Sequence, residues 1–541
     1  MGLKPYFGLR GNALLRAAVA LVVFPTFTCY GYNMSVAGGL LTLQAFNKQF
    51  PRMDTINTQG SLESGKLHNS RSVNFKTTSL VSLDILIILC TVIALYTVGG
   101  IFGALSCAYL GDRLGRRKVM FGANLVCMIG CILMATSFDF AQFIVARLVL
   151  GVGIGGYTAT VPVWQSEISP AHKRGSNVVT DGIFVGAGVS LGLWIDLGLF
   201  FVKNNSASWR FPLAFPSVFC IIAMASIPFL PESPRWLIMT GQVQEARNVM
   251  SALLELEPDS DEISNVIHDV QTTLAVCGNT SWTAVFTMDK QRLFHRAYLA
   301  CTGQFFQQMC GVNLITYYAT TIFQEYLGMD EVRARILAAS MGLTQPFGGL
   351  LAFYTIDRLG RRPLMTWSAG AMAICMAVLA GTTSPEAEGH TAPLVVAVIA
   401  LFCFQFIFTV GFSGLTFLYA AELAPLQVRA AVSALSTATV WVFNFLLAEV
   451  TPIGFNSISN KYYIIFAVIN AVIVPSVYFF FPETKGRSLE EIDEIFAQSN
   501  NIFDPPRVAR RMQKTLRAST PDRSGSGSGG ENTYVKEEVK A

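Results

Sequence analysis

Charged side chains are scarce in this sequence. Asp, Glu, Lys and Arg together make up 14% of its 541 residues, whereas a soluble domain typically carries about 25%. Hydrophobic residues account for 52%, and the mean hydropathy is +0.46. A water-soluble protein of this composition would expose apolar patches that aggregate. The composition therefore excludes an ordinary soluble protein and indicates that lipid solvates much of the surface.

Signatures of catalytic and metal-binding chemistry are also missing. The eleven cysteines are scattered and form no C-x-x-C pair, so neither zinc nor redox chemistry is indicated. There is no nucleotide-binding loop and no nucleophile motif. We therefore expect no enzyme, no metal site, no cofactor and no nucleic-acid partner. The five histidines all lie in loops or at helix ends and form no metal cluster: His68, His172, His268, His295 and His390.

The sequence does contain long apolar runs. A helix needs about 20 such residues to cross a hydrocarbon core of about 30 Å, and we count twelve runs. The first is no signal peptide, because it is long and is followed by glycines rather than by a cleavage motif. The runs are Leu14–Ala37, Ile85–Leu110, Val119–Ala135, Phe140–Val163, Ile183–Val202, Phe211–Leu230, Ala297–Tyr318, Ile336–Ile356, Leu364–Ala380, Leu394–Ala421, Val432–Val450 and Tyr462–Phe481.

Basic residues are concentrated in alternate loops between these runs. If successive helices alternate in direction, these loops share one side of the membrane, which the positive-inside rule makes cytoplasmic. Both termini are then cytoplasmic as well. The residues are Arg113, Arg116, Arg117, Lys118, Lys173, Arg174, Arg358, Arg361, Arg362 and Arg429.

Polar stretches divide the chain into four parts. We assign 1–230 and 294–481 to two sets of six helices, 231–293 to a cytoplasmic linker and 482–541 to a cytoplasmic tail. Apolar residues at helical spacing predict amphipathic helices in the linker and in the tail, which should be helical to about residue 497 and then disordered. Asn204, in an outer loop, begins a glycosylation sequon, although such triplets often occur by chance.

Three motifs occur twice, in one order and at nearly one offset. DRLGRR begins at residues 112 and 357, an offset of 245. The pattern E-x-x-P-x-x-x-R begins at 167 and 422, an offset of 255, and Pro-Glu-Ser at 231 returns as Pro-Glu-Thr at 482, an offset of 251. Two parallel six-helix halves explain this repetition.

Taken together, these motifs resemble those of the sugar porter family of the major facilitator superfamily, over roughly residues 12–497. The resemblance implies an all-α membrane protein of two pseudo-symmetric six-helix bundles that rock around a central site. It also implies a monosaccharide transporter of the plasma membrane, for a hexose or a pentose, that functions as a monomer. The motifs that carry it are Gly31-Tyr32-Asn33, both DRLGRR loops, PESPRWL at 231–237, QQMCGVNLITYY at 307–318 and PETKGRSLEEID at 482–493.

The charged residues of the repeated motifs gather at the predicted cytoplasmic edge. Topology explains the arginines but not aspartate and glycine at fixed positions twice. We interpret them as a network that holds the halves closed there, because Arg–carboxylate pairs suit a contact that breaks and reforms. The four arginines at 116, 117, 361 and 362 are expected to pair with glutamates 167, 232, 422 and 483. The whole network comprises Asp112, Arg116, Arg117, Glu167, Arg174, Glu232, Asp357, Arg361, Arg362, Glu422, Arg429 and Glu483.

Glutamines in predicted helix 7 cannot face lipid, because an unsatisfied amide there costs a few kcal/mol. At about 100° per residue, Gln307 and Gly311 share one face, whereas Asn313 joins them only if the helix loosens, and Gly311 is the position at which we expect this. Amides offer both donor and acceptor to each hydroxyl. We expect a sugar site here, with hydrogen bonding between helices as the alternative.

The resemblance extends this site along other helices. It implies that amides contact the sugar, that two tyrosines close over it, and that Trp441 is either a stacking platform or a core residue. Two departures put ordinary glucose selectivity in doubt: Gly182 stands where the family usually has a glutamine, and Phe417 where it usually has a tryptophan. The expected site comprises Gln307, Gln308, Asn313, Tyr317, Tyr318, Gln345, Phe417, Trp441 and Asn444.

Energy coupling depends on position 33. Proton-driven members of the family carry an aspartate there, paired with an arginine that matches Arg147, but this chain has Asn33. An amide cannot titrate, so the sequence favours facilitated diffusion. Asp181, about two turns into predicted helix 5, leaves proton symport open, because a carboxylate inside the membrane is usually functional.

Two other functions stay open at this point. A sugar sensor of the same fold would bind without transporting, although the polar tail is short for a signalling region. A sugar-like organic acid such as quinate is the alternative substrate, and Arg147 is the obvious cation for it.

Overall fold

The computed structural model describes residues 6, 8–40, 43–50, 79–170, 173–202, 205–277, 282–288, 291–384, 390–425, 428–487 and 489–512. Within these ranges the protein is helical and contains no β-strand, only one isolated bridge between Tyr6 and Leu9. The all-α fold class is confirmed. The predictions for Asn204 and for the tail after residue 512 lie outside the described residues.

Six long helices form the first half and follow the predicted apolar runs. Three shorter helices come next on the predicted cytoplasmic side, and the middle one buries the apolar face that its periodicity predicts, including Val249 and Met250. The long helices are α1 Gly11–Val36, α2 Ser79–Leu114, α3 Arg116–Ala135, α4 Phe140–Ile168, α5 Arg174–Phe200 and α6 Ala207–Phe229. The short ones are α7 Pro234–Met239, α8 Val243–Leu254 and α9 Asp261–Cys277.

The second half repeats this arrangement with one break. Eleven of the described helices are long and apolar enough to cross a membrane, and a broken pair, α10 and α11, makes the twelfth crossing. The predicted count of twelve is confirmed. The helices are α10 Leu293–Met309, α11 Val312–Thr321, α12 Glu331–Leu359, α13 Arg361–Thr382, α14 Thr391–Leu423, α15 Arg429–Ile458 and α16 Lys461–Phe480, followed by α17 Leu489–Ala497 and α18 Pro505–Arg511.

Each half buries its own apolar core, and the halves meet where small residues let helices approach closely. A Cβ atom on Gly182 of α5 would lie 2.6 Å from the backbone nitrogen of Gly414 of α14. A Cβ on Gly186, one turn further along α5, would lie 2.6 Å from Cβ of Gln345 of α12. Small residues at such crossings are the usual means of tight packing in membranes. Gly182 is the position at which this chain departs from the family pattern. Its lack of a side chain therefore allows α5 and α14 to pack closely between the halves.

Candidate functional site

The break between α10 and α11 lies at Gly311. Its φ of +101° belongs to the left-handed region, where a side chain is strained. A Cβ there would also lie 2.6 Å from Cε of Met376 and 3.1 Å from the ring of Phe466. The predicted loosening of the helix at Gly311 is confirmed, and it turns the first residues of α11 back toward the end of α10.

This turn joins three amides into a hydrogen-bonded chain. The amide of Asn313 donates to Oε1 of Gln308 over 2.5 Å, and Gln308 donates to Oε1 of Gln307 over 3.0 Å. Gln307 in turn donates to the backbone carbonyls of Phe412 and Ser413 in α14, at 3.2 and 2.9 Å. All three amides are buried. The structure therefore brings together the residues that the sequence singles out in helix 7.

A second amide pair lies on neighbouring helices of the same half. Gln345 donates to Oε1 of Gln405 over 3.1 Å, and Gln405 donates to the hydroxyl of Thr316 over 3.0 Å. Gln345 was expected at the site, whereas Gln405 and Thr316 were missed. The signal for Gln405 was available, because a lone amide within the apolar run of α14 carries the same desolvation cost as Gln307.

Aromatic residues connect the two halves beside these amides. The Tyr317 hydroxyl donates to Oδ1 of Asn444 over 2.8 Å and lies 2.7 Å from the hydroxyl of Tyr96 in α2. The ring of Tyr96 packs edge-on against Trp441, with 5.7 Å between centroids. Tyr96 is thus a contact from the first half that the sequence reasoning missed. Tyr318 instead donates to the carbonyl of residue 448 in α15.

The remaining expected residue of this group, Phe417, also lies between the halves. Its ring is 6.3 Å from that of Phe27 in α1, in an edge-on arrangement. Both rings are buried, so this pair forms an apolar contact between α1 and α14.

Several polar atoms of this cluster have no hydrogen-bond partner among the described residues. They are buried donors on Trp441 and Asn444 and a buried acceptor on Asn313, together with both side-chain polar atoms of Gln304. Because unsatisfied buried groups cost roughly 1–3 kcal/mol each, native proteins usually pair them. A hydroxyl group can both donate and accept a hydrogen bond, so a ligand that carries several of them has the donors and acceptors that these atoms lack.

The three positions expected to govern coupling form no hydrogen bond with this cluster in the described part of the chain. Asn33 donates to the carbonyl of Cys29 in its own helix over 2.8 Å. Arg147 is buried, with its guanidinium carbon 5.7 Å from the ring centroid of Tyr96. Asp181 is fully buried, and neither carboxylate oxygen has a hydrogen-bond partner in the described part of the chain.

Charged residues at the predicted cytoplasmic end form one network in each half. Arg116 lies 3.2 Å from Oδ1 of Asp112 and 3.3 Å from Oε2 of Glu167. The arginine and glutamate are buried, so their pairing offsets the desolvation of both. The second half repeats the arrangement with Arg361, 3.0 Å from Asp357 and 2.8 Å from Glu422.

The predicted pairing is wrong for the side chains of Arg117 and Arg362. Their guanidinium groups donate to backbone carbonyls, because the nearby glutamates are already engaged at the helix ends. Glu232 accepts the backbone N–H groups of residues 116 and 117, both at 3.1 Å, and Glu483 accepts those of 361 and 362, both at 3.0 Å. The carbonyls are those of Ile227 and Pro228 for Arg117 and that of Tyr478 for Arg362.

This capping explains the glycine in both DRLGRR motifs. Gly115 and Gly360 have φ of +84° and +103°, and a Cβ on them would lie 2.9 and 2.6 Å from a carboxylate oxygen of Glu232 and Glu483. A carboxylate at a helix N-terminus is favourable, because it meets unpaired N–H groups. Burial nevertheless raises the pKa of Glu232, outweighing the opposing effect of those N–H groups and of the neighbouring arginines.

In the described part of this region, two contacts of charged side chains that cross between the halves stand out. Arg429 of α15 lies 3.1 Å from Oε1 of Glu167 of α4, and the backbone N–H of Ser176 in α5 donates to Oδ2 of Asp357 over 2.8 Å. We call these four residues the charge latch. Arg174, which we had placed in the same network, donates to a carbonyl of its own half.

Cysteines converge in the first half, which the sequence reasoning did not foresee. Cys29, Cys127 and Cys220 belong to α1, α3 and α6, and their sulfur atoms all lie within 4.8 Å of one another. These three cysteines are scattered along the sequence, as noted above, but tertiary packing brings them together from three separate helices.

Comparison with known proteins gives consistent matches along the chain. A family model described as "Sugar (and other) transporter" matches residues 19–496. The MFS-type transporter oryC of Aspergillus oryzae is 33% identical over 526 residues, which cover 95% of this chain and 92% of that protein. The sugar transporter STL1 of Saccharomyces cerevisiae is 32% identical over 523 residues, covering 94% and 86%.

Among solved structures, the proton:xylose symporter XylE bound to 6-bromo-6-deoxy-D-glucose has a similar fold. The TM-score is 0.74 at 20% sequence identity, and the alignment covers 90% of this chain and all of that one. This likeness supports the arrangement of two six-helix halves.

Proposed function

The chain belongs to the sugar transporter family of the major facilitator superfamily, and from that membership we propose that it carries a monosaccharide across the membrane by alternating access. We place it in the plasma membrane as a monomer with both termini in the cytoplasm. The observation that carries the proposal is the buried amide cluster between α10, α11, α12 and α15, whose unpaired atoms match the hydroxyl groups of a sugar.

Binding in this cluster is an exchange of hydrogen bonds. A sugar gives up water when it enters, and each hydroxyl needs a donor and an acceptor in return. Asn313 offers a free acceptor, and Asn444 and Trp441 offer free donors. The amides of Gln307 and Gln308, now bonded to one another, can turn toward the sugar. These side chains are uncharged, as a sugar is. A charged side chain in their place would be buried without a counter-charge, which is costly.

Alternating access requires that the two ends of the interface open in turn. The charge latch and the Gly182–Gly414 crossing hold the predicted cytoplasmic end closed in this conformation. Toward the other end, Gly342 of α12 packs against Ser190 of α5. Tyr317 and Tyr96 join the halves beside the amides, so their contact must break or shift as a sugar passes.

Facilitated diffusion is the mechanism we propose for energy coupling. Asn33 stands where proton-driven relatives of this family carry an aspartate, and an amide has no proton to exchange. Arg147 is accordingly packed against the rings of Tyr96 and Phe143, and no carboxylate pairs with it among the described residues.

Proton symport through Asp181 is the second candidate, and one observation favours it. An ionised carboxylate that is fully buried without a partner is strongly disfavoured, so Asp181 would hold a proton in this conformation. Release of that proton on opening would couple its movement to that of the sugar.

Uptake of radiolabelled sugars by cells without their own transporters tests the function. We expect one or more hexoses or pentoses to equilibrate across the membrane without exceeding the outside concentration, and a protonophore to leave the final level unchanged. Cells carrying the Gln307→Ala variant provide the background. Binding without any uptake would indicate a sensor. Accumulation that collapses with the protonophore would refute facilitated diffusion, and Asp181→Asn would then test the second candidate.

Asn33→Asp should make transport sensitive to pH. A buried carboxyl keeps its proton until water reaches it, so lowering the outside pH should favour the protonated, transport-competent form. We expect the initial rate of uptake to rise about threefold or more as the pH falls by about two units, while the wild type stays level. Asn33→Ser, which cannot titrate, is the control. An equally flat profile for the aspartate variant would show that position 33 does not face a path for protons.

A further inference from the structure

Three thiol groups meet inside the first half, at a place that the transport mechanism does not use. The sulfur of Cys29 lies 3.8 Å from that of Cys127 and 3.8 Å from that of Cys220. All three side chains are fully buried. They come from α1, α3 and α6, so the cluster joins three helices that are separate in sequence.

The triangle of sulfur atoms has the dimensions of a coordination site. With two edges of 3.8 Å and a third of at most 4.8 Å, one point lies about 2.1–2.5 Å from all three sulfurs. Metal–thiolate bonds are about 2.3 Å long. A disulfide would instead require one pair to close to about 2.05 Å and would leave the third thiol out. The arrangement therefore favours one shared ion over one bonded pair.

Another buried thiol and an amide N–H group lie beside the cluster. Cys131, one turn beyond Cys127 in α3, is also fully buried. The amide of Asn33 points one N–H toward the sulfur of Cys29 over 3.6 Å, as second-shell donors to thiolates do. Among the described residues, no carboxylate or imidazole joins these three sulfurs as a potential ligand.

We propose that Cys29, Cys127 and Cys220 form a binding site for one Cu⁺ ion. Thiol ligands select soft metals such as Cu⁺, and three sulfurs satisfy it, whereas structural zinc normally takes four ligands. The sulfurs bind the ion as thiolates, so each ligating thiol releases its proton to solvent on binding.

The bound ion would fasten α1 to α3 and α6. All three helices belong to the first half, so the ion braces one rocking unit and does not link it to the other. Cu⁺ binding should therefore raise the thermal stability of the protein while leaving sugar uptake nearly unchanged.

Copper titration of the purified full-length protein tests the site. Anaerobic addition of Cu⁺ in competition with a copper chelator should give one bound ion per chain, with an X-ray absorption shell of three sulfurs at about 2.3 Å. The protein used carries serine at the cysteines that are accessible or whose side chains the structure does not describe: Cys90, Cys277, Cys301, Cys375 and Cys403. No retained copper in this folded protein, or a shell of nitrogen and oxygen, would overturn the proposal without any further variant.

Two matched variants then locate the ion. Cys220→Ala should lower the affinity for Cu⁺ at least tenfold and abolish the rise in melting temperature. Cys107→Ala removes a thiol of the same half that is equally buried but bonded to the backbone carbonyl of Gly156, and it should bind like the parent. Equal losses in both variants, or none in Cys220→Ala, would place the copper elsewhere. If Cys220→Ala fails to fold, Cys29→Ala replaces it.

Discussion

Replacing Asn313 by alanine is expected to lower the initial rate of sugar uptake at least tenfold while the protein still reaches the membrane. The change removes the donor to Gln308 and the free acceptor offered to the sugar. Each lost hydrogen bond costs about 0.5–1.5 kcal/mol, and an acceptor left unpaired costs about 1–3 kcal/mol. Since about 1.4 kcal/mol is tenfold in affinity, the combined loss is enough to make uptake slow at low sugar concentration. Gln307→Ala should have a similar effect.

A control variant at a buried amide outside the site distinguishes a loss of sugar binding from a loss of folding. Asn124 of α3 is fully buried and donates only to the carbonyl of Met120 in its own helix, as far as the described residues show. Asn124→Ala should therefore leave uptake within about twofold of the wild type, since only a local bond of about 1 kcal/mol is lost. Surface expression and the melting temperature are measured for each variant. Normal uptake by both Gln307→Ala and Asn313→Ala would exclude the amide cluster as the sugar site.

The position of Asn313 shows what a single sequence can give. Helical geometry places it off the face of Gln307, and only the glycine between them offers a way to bring it back. That reasoning predicted a break, and the φ of Gly311 confirms it. The prediction worked because all the residues involved lie within about two turns of one helix, where local geometry decides.

Contacts between helices were beyond the same reasoning. Tyr96 and Gln405 lie on helices far from α11 in sequence, and nothing in their spacing says which face meets the amides. The three cysteines illustrate this more strongly, because each is an ordinary buried residue of its own helix and only packing makes them neighbours. The arginines of the two DRLGRR motifs are an intermediate case. Their level in the membrane was predictable, but which of them pair with carboxylates was not.

The duplicated motifs also concealed a difference between the halves. Glu167 and Glu422 occupy equivalent positions of the same pattern, and each pairs with the arginine of its own DRLGRR motif. Glu167 also reaches Arg429 of the other half at 3.1 Å, whereas Glu422 accepts the hydroxyl of Thr484 at 2.6 Å. The repeat thus predicts two similar networks, while among the described residues Glu167 also pairs with an arginine of the other half.

Glu167→Gln is therefore expected to shift the protein toward the conformation that is open at the predicted cytoplasmic end. Removing one partner of a buried ion pair costs about 3–5 kcal/mol. Part of this cost, the loss of the charge facing Arg429, falls on the closed conformation alone, because the halves separate there on opening. A differential of about 3 kcal/mol changes the ratio of the two conformations more than 100-fold. Uptake should fall at least tenfold, since the cycle must pass through the closed form.

The distance between the halves measures this shift directly. Spin labels on cysteines introduced at the exposed positions Lys173 and Arg358, in a background without accessible cysteines, should report a longer mean distance in Glu167→Gln. Glu422→Gln is the matched control, because it removes a similarly buried carboxylate whose bonds, as far as the described residues show, go to Arg361 and Thr484 of the second half. It should lower the melting temperature and leave the distance unchanged. Equal lengthening in both variants would mean that the two networks act alike, and that no single carboxylate bridges the halves.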